Sequence, residues 1–191
     1  MYTECSFESS IMSFNDRKVG QVAAYLMLKS DGAIELLKLV KLIYLSDRKF
    51  LELYDSLITD DKFVSMPHGP VNTATLNCMN GAYMELTGWN EFVSDRENHM
   101  LALAKKISNS SELDLLSVAE FEVMDSVWEE HGAKTKWQLV KWTHDNCKEW
   151  EDPEGSSIPI KYETLLSVLG KKDTQRLSKQ IVEESEFSIP A

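Results

Sequence analysis

Cysteine is scarce in this 191-residue chain: Cys5, Cys78 and Cys147 lie far apart and in no CxxC arrangement. An odd, scattered set of thiols supplies no disulfide framework, and reduced thiols in a cytoplasmic protein are the expectation. Long apolar runs are missing as well. The longest is Val22–Leu28, far short of the ~20 residues that cross a bilayer, so no membrane partner is expected. The first ten residues carry Glu4 and Glu8 and no positive stretch, which predicts no secretory signal. Lysine and arginine are the minority charge, 20 against 31 Asp and Glu, for a net charge of −11. Nucleic-acid affinity rests mostly on Lys and Arg neutralising phosphates, so no nucleic-acid partner is expected. A basic protein partner fits the sign of the charge, and solubility alone also accounts for it. The GxSxG nucleophile elbow and the GxxxxGK[ST] phosphate loop are absent, as are internal repeats and low-complexity tracts.

What is present is an ordinary globular composition, 43% hydrophobic and 27% charged, too apolar for a disordered chain. The length predicts one domain. A compact chain of this size buries roughly 70% of its unfolded surface, so a self-sufficient core is expected. The fold class expected is mainly α with short β-hairpins (α+β). Its plan is a flexible arm over 1–14, a domain over 15–185 and a C-terminal tail over 186–191.

Periodicity predicts a first helix capped by Asn15 or Asp16, with Val19, Val22, Ala23 and Leu26 on one face and a turn at Asp31-Gly32. The second helix, about 33–54, is apolar around most of its girth and is expected at the centre of the fold. An extended hairpin is expected over Asp55–Val71. It ends in Met66-Pro67-His68-Gly69-Pro70-Val71, whose two prolines and glycine predict a rigid loop without regular structure. A helix over about Thr73–Met84 and a second hairpin over Trp89–Leu103 follow. Ser117-x-x-Glu120 and Thr135-x-x-Gln138 are capping boxes that predict two more helix starts. Lys148–Ser157 reads as a polar loop. Helices over Tyr162–Leu169 and Thr174–Glu184 complete the chain.

Few residues suggest chemistry. His144-x-x-Cys147 puts two ligand types on one helical face, but a structural zinc site wants four ligands; no metal and no cofactor is expected. A cysteine nucleophile needs a base and an orienting group. Cys78 or Cys147 with His68, His99, His131 or His144 are the available combinations, none with a local motif, and the chain is not expected to be an enzyme. Lys38 and Lys41 on the apolar second helix are read as snorkelling to solvent over core-packed stems; the alternative sets them at the edge of a partner groove. Trp89, Trp128, Trp137, Trp142 and Trp150 are read as core anchors, with Trp150 the candidate for a binding surface.

Four segments together resemble one family. They are Lys38-Leu-Val-Lys-Leu-Ile-Tyr-Leu-Ser-Asp-Arg48, Ile58-Thr-x-Asp-x-Phe-Val-Ser-Met-Pro-His-Gly-Pro-Val71, Trp142-Thr-His144 and Ser157-Ile-Pro-Ile-x-Tyr-Glu-x-Leu-Leu166. In order and spacing, from about residue 16 to 170, the chain resembles the Panacea domain, also called the SocA-like antitoxin domain, of bacteria and their phages. Relatives often follow the Thr/Ser-His step with an acidic residue, a proline and a tryptophan. Here Asp145-Asn146-Cys147-Lys148-Glu149-Trp150 has no proline and a displaced tryptophan, so a differently shaped loop is expected.

The resemblance implies a mainly helical fold with short strands and a cognate protein toxin as partner. In one relative it also implies an adaptor role, delivering the toxin to an ATP-dependent protease. The first expectation is therefore an antitoxin that neutralises its toxin by direct binding. A proteolytic adaptor comes second, a cysteine-dependent enzyme third and a DNA-binding autorepressor last. Lys38, Lys41, Tyr44, Asp47, Arg48, Met66, Pro67, His68, Gly69, Pro70, Val71, His144 and Trp150 are the candidate motif or partner-binding residues. Among them, His68 is pre-positioned by Pro67 and Pro70, and Gly69 permits a positive φ. A buried His68–His144 pair or a His–Asp47 contact is the expected cluster, fixing the fold; a partner-contact role for these residues is the alternative.

Overall fold

The computed structural model describes residues 14–82 and 87–187. The first helix, α1 (Asp16–Leu28), starts where the Asn15 side chain accepts the Lys18 N–H at 2.9 Å, a cap worth ~1 kcal/mol. Val19, Val22, Ala23 and Leu26 are fully buried at helical spacing. At Gly20 an added Cβ would lie 3.2 Å from Trp89 Cα, so the small residue lets α4 (Thr87–Phe92) pack closely on α1.

Residues expected to begin the second helix are instead a strand. β1 (Ala33–Glu35) pairs antiparallel with β4 (Met100–Ala102), setting Ile34 opposite Leu101, and both are buried. The hairpin expected over Trp89–Leu103 is correspondingly reduced. Trp89 and Phe92 belong to α4, and only isolated bridges, Val93 with Leu103 and Glu97 with Met100, join its two arms. β4 finds its ladder partner in β1, far away in the chain.

α2 (Leu36–Tyr54) is central as expected. It packs against α1, α5 (Val118–His131), α6 (Lys136–Asn146) and β3 (Gly69–Asn72). Burial of Leu39, Val40, Leu42, Ile43 and Leu51 anchors it. Both capping boxes form, at Ser117 with Glu120 and at Thr135 with Gln138, and they start α5 and α6 where the sequence places them.

A second sheet has the order β3-β2-β5, from β2 (Phe63–Met66), β3 and β5 (Ile158–Ile160), all antiparallel. The hairpin is present, but its loop is tighter than expected: only Pro67 and His68 turn, and Gly69-Pro70-Val71 returns as strand. Pro70 is tolerated because β3 is an edge strand. α3 (Thr73–Met79) stops at Asn80 and is shorter than the helix expected over 73–84; residues 83–86 lie outside the described part. α7 (Tyr162–Val168) and α8 (Thr174–Phe187) pack together near the end of the chain. The expected arm, except Phe14, and residues 188–191 of the expected tail also lie outside the described residues. Among the described residues no helix is long and apolar enough to cross a membrane.

Candidate functional site

Some polar side chains of α2 face inward. Lys41, Tyr44 and Asp47 are wholly inaccessible to solvent, which corrects the snorkelling reading of Lys41. Its Nζ donates to the Pro70 carbonyl at 2.7 Å, so the ammonium is held under β3 instead of reaching solvent. Burial brings its pKa down to about 7. Lys38 is half-buried and also binds within the protein: Nζ donates to the Gly132 carbonyl at 2.6 Å and lies 5.4 Å from the Trp128 ring centre.

One turn beyond Lys41, the Tyr44 hydroxyl donates to Glu149 Oε1 at 2.5 Å, and Arg48 Nε donates to the same oxygen at 2.7 Å. Glu149 is 3% exposed. The loop expected to be merely polar therefore sends a carboxylate into the core, where a cation and a hydroxyl meet it. Burial, with the Glu149 charge beside it, raises the Tyr44 pKa well above its ordinary value, so the phenol stays a donor.

Asp47 meets no histidine. Its carboxylate accepts from the backbone N–H groups of Ile58 and Thr59 at 2.8 and 3.0 Å, the Thr59 hydroxyl at 2.5 Å and Asn72 Nδ2 at 2.5 Å. Burial pushes its pKa up to about 6 against those bonds. The expected His–Asp47 contact fails because closer donors, in the segment entering β2 and at the end of β3, fill the carboxylate first. Asp61 does the same for α3, accepting from the N–H groups of Ala74 and Thr75 at 2.9 and 2.8 Å.

Above this buried layer lies the hairpin turn. Gly69 has φ +96°, and a Cβ there would sit 2.7 Å from Thr143 Oγ1, 2.9 Å from Lys41 Nζ and 3.4 Å from His144 Cδ2. The turn thus rests directly on α6. Its exposed tip residue His68 meets the Trp137 ring edge-on at 5.3 Å. Two turns along α6, His144 stacks flat on Trp150, 4.0 Å between ring centres and 10° between planes. Trp150 Nε1 donates to the Met66 carbonyl at 3.0 Å, tying the loop after α6 to the hairpin. Burial, then the nearby Lys41 charge, lowers the His144 pKa.

Gly69 brings Lys41 and His144 to one spot, and Tyr44, Asp47 and Arg48 line the buried side of the same region. Met66 and Trp150 fasten the hairpin to the loop, Pro67 and His68 form its exposed tip, and Pro70 and Val71 lie buried behind it. No hydrogen bond joins His68 to His144 among the described residues, so the expected buried histidine pair is replaced by two aromatic contacts, His68–Trp137 and His144–Trp150. Lys38 sits apart, against Gly132 and Trp128. Trp137 is 56% exposed, which corrects its reading as a core anchor. Glu149, Asn72 and Trp137 are not legible in the sequence as parts of this region, and Thr59 stands there only as a member of the 58–71 motif. The position of Trp137 two residues after the capping Thr135, on the outer side of a new helix, was its one available signal.

The two described thiols are buried. Burial pushes the thiols of Cys78 and Cys147 up to about 12, so both keep their protons at neutral pH. Among the described residues no group of three or more His, Cys, Asp or Glu side chains is placed to hold a metal ion.

Comparison with known proteins finds one family. The family model described as antitoxin SocA-like, Panacea domain, matches residues 39–151, from the first turn of α2 to the loop that carries Trp150. No curated protein and no solved structure matches the chain.

Proposed function

The chain belongs to the SocA-like antitoxin, Panacea domain family, and from that premise we propose that it neutralises a cognate protein toxin by binding it directly. The observation that carries this reading is the family match itself, which spans the whole hairpin-on-α6 region. Sequestration of this kind uses a specific interface of roughly 1,600 Å² in total. The −11 net charge speeds encounter with a basic toxin.

The test is co-expression with the protein encoded beside this gene. A toxic neighbour becomes harmless only when this chain is present, and the two purify together in fixed ratio. Sequestration also predicts that the neighbour's half-life is the same in cells with and without their ATP-dependent proteases. A half-life shortened only when chain and protease are both present makes the chain a delivery adaptor instead.

A further inference from the structure

We propose that the tip of the β2–β3 hairpin, the outer face of α6 and the acidic loop after it form the toxin-docking surface, and that it takes a basic segment of the partner. This rests on the antitoxin reading above and names its interface. Trp137 is 56% exposed, and tryptophan is one of the three residues enriched at interface hot spots. It stands beside the exposed His68, which meets its ring edge-on at 5.3 Å, and the exposed Pro67 precedes His68 in the turn. From Trp137 to His144 the helix advances about 10 Å, so the aromatic row from Trp137 to Trp150 lies along one side of α6.

The row is held from beneath. Lys41 bonds the Pro70 carbonyl, Gly69 sits in van der Waals range of α6, and Trp150 bonds the Met66 carbonyl. A tip supported in this way has little freedom left to lose when a partner arrives, which favours affinity.

Charge selects the partner. Two cations beside the row are paired, Lys136 with Glu35 at 2.5 Å and Lys141 with Asp145 at 2.9 Å, and the exposed Lys148 is turned back onto the Asp145 carbonyl. Among the described residues the acids beyond Trp150 have no paired cation, and Asp152 accepts only the Glu154 N–H at 2.9 Å. Glu151, Asp152 and Glu154 are exposed, and no ion pair to them occurs among the described residues. Glu151 is fixed next to the hairpin, its N–H donating to Ser65 Oγ at 3.2 Å. Three exposed acids without an ion pair outnumber the exposed Lys148 and Lys161 near them, and an aromatic centre with such a rim is complementary to lysine or arginine side chains flanking an apolar anchor. The same rim repels nucleic acid.

The experiment uses the full chain and the protein encoded beside its gene. Affinity is measured by calorimetry at two salt concentrations, rescue by growth, and hydrogen exchange on the wild-type complex. The expected result is exchange protection over 66–69 and 137–144. Trp137→Ala binds at least tenfold more weakly with an unchanged melting temperature. The double variant Glu151→Lys, Asp152→Lys binds at least threefold more weakly at low salt, with the deficit shrinking at high salt. Val118→Ser, at a 73% exposed apolar position on α5, binds like the wild type.

Protection confined to other segments, or wild-type affinity in both interface variants, overturns the surface and leaves the antitoxin reading standing. A wild-type dimer that Trp137→Ala turns into monomer, with toxin affinity unchanged, assigns the face to a second copy of the chain and overturns the partner. A neighbour that is neither bound nor neutralised by the wild type removes the antitoxin reading itself. Exchange on the wild-type complex decides the matter even if a variant fails to fold.

Discussion

Replacing Gly69 by alanine tests the closeness of the hairpin to α6. Two costs add. The first is conformational: φ is +96°, and a Cβ in the left-handed region costs about 1–2 kcal/mol. The second is spatial. The new methyl would fall 2.7 Å from Thr143 Oγ1 and 2.9 Å from Lys41 Nζ, closer than such contacts occur. Thr143 is itself bonded to the Val140 carbonyl, and Lys41 to the Pro70 carbonyl. Displacing either strands a buried polar group, at about 1–3 kcal/mol. The sum is about 2–5 kcal/mol, and with about 2–4 °C per kcal/mol for a domain of this size the melting temperature falls by roughly 10 °C. Gly155 supplies the control. Its φ is +88°, and a Cβ there meets nothing within 4 Å, so Gly155→Ala carries the conformational cost alone. Thermal and urea unfolding followed by circular dichroism measure both variants. Equal losses in the two would refute the close packing of Gly69 on Lys41 and Thr143.

Other outcomes follow from the buried layer. Lys41 has its pKa lowered by burial from 10.5 to about 7. Between those values the unfolded chain holds a proton that the folded one has lost, so this residue makes stability rise as pH climbs from about 7 to 10.5. Lys41→Met removes that rise, and parallel stability–pH curves for variant and wild type would contradict it. Glu149→Gln leaves the Arg48 guanidinium without its anionic partner and costs about 3–5 kcal/mol, whereas Tyr44→Phe removes one hydrogen bond and costs about 1 kcal/mol; equal losses in urea titrations would sink that ranking. Cys78 and Cys147, with thiols pushed up to about 12, react with an alkylating agent at pH 7 far more slowly in the native chain than in urea. A fast native modification at either site, located by mass spectrometry, would contradict the buried, protonated state of that thiol.

The parts of the fold written in local signals were legible before the structure. Asn15, Ser117 with Glu120 and Thr135 with Gln138 each start a helix through bonds that span only three residues, and the apolar girth of Leu39–Leu45 marks α2 as central. The features that the sequence does not display depend on partners distant in the chain. Ala33-Ile34-Glu35 is too short, and too continuous with the apolar run after it, to stand out as a strand, and it becomes β1 because Met100–Ala102 lies alongside it. Pro70 looks like a breaker until β3 is seen to be an edge strand that has no use for its missing N–H there. Lys41 reads as a solvent-seeking cation because its acceptor, the Pro70 carbonyl, lies in the other half of a motif that one-dimensional spacing does not bring together. Glu149 gives no sign of burial, since Tyr44 and Arg48 lie about a hundred residues earlier and one of its own neighbours, Lys148, is exposed.

These misses share a cause that bears on what the site does. A hairpin tip could be supported by apolar side chains alone, which pack in many nearly equivalent ways. Here the support is polar and directional: an ammonium on a carbonyl, an indole N–H on a carbonyl, a carboxylate with four donors. Such groups are costly to bury without partners, so they favour the arrangement that makes these bonds, although the buried Asn72 Oδ1 and His144 Nε2 find none among the described residues. The same strictness that makes Lys41 and Asp47 hard to read from sequence fixes where Pro67, His68 and Trp137 stand. A surface that must recognise a partner gains from that, because the entropy of ordering the tip is lost on folding and not on binding. Loosening the layer should therefore weaken recognition as well as stability. Asn72→Ala, which removes a donor to Asp47 and touches none of the exposed residues, lowers the melting temperature and slows toxin association. Stopped-flow mixing with the neighbouring gene product reads that rate, and an association rate unchanged in a measurably destabilised variant would separate the two layers and refute the link.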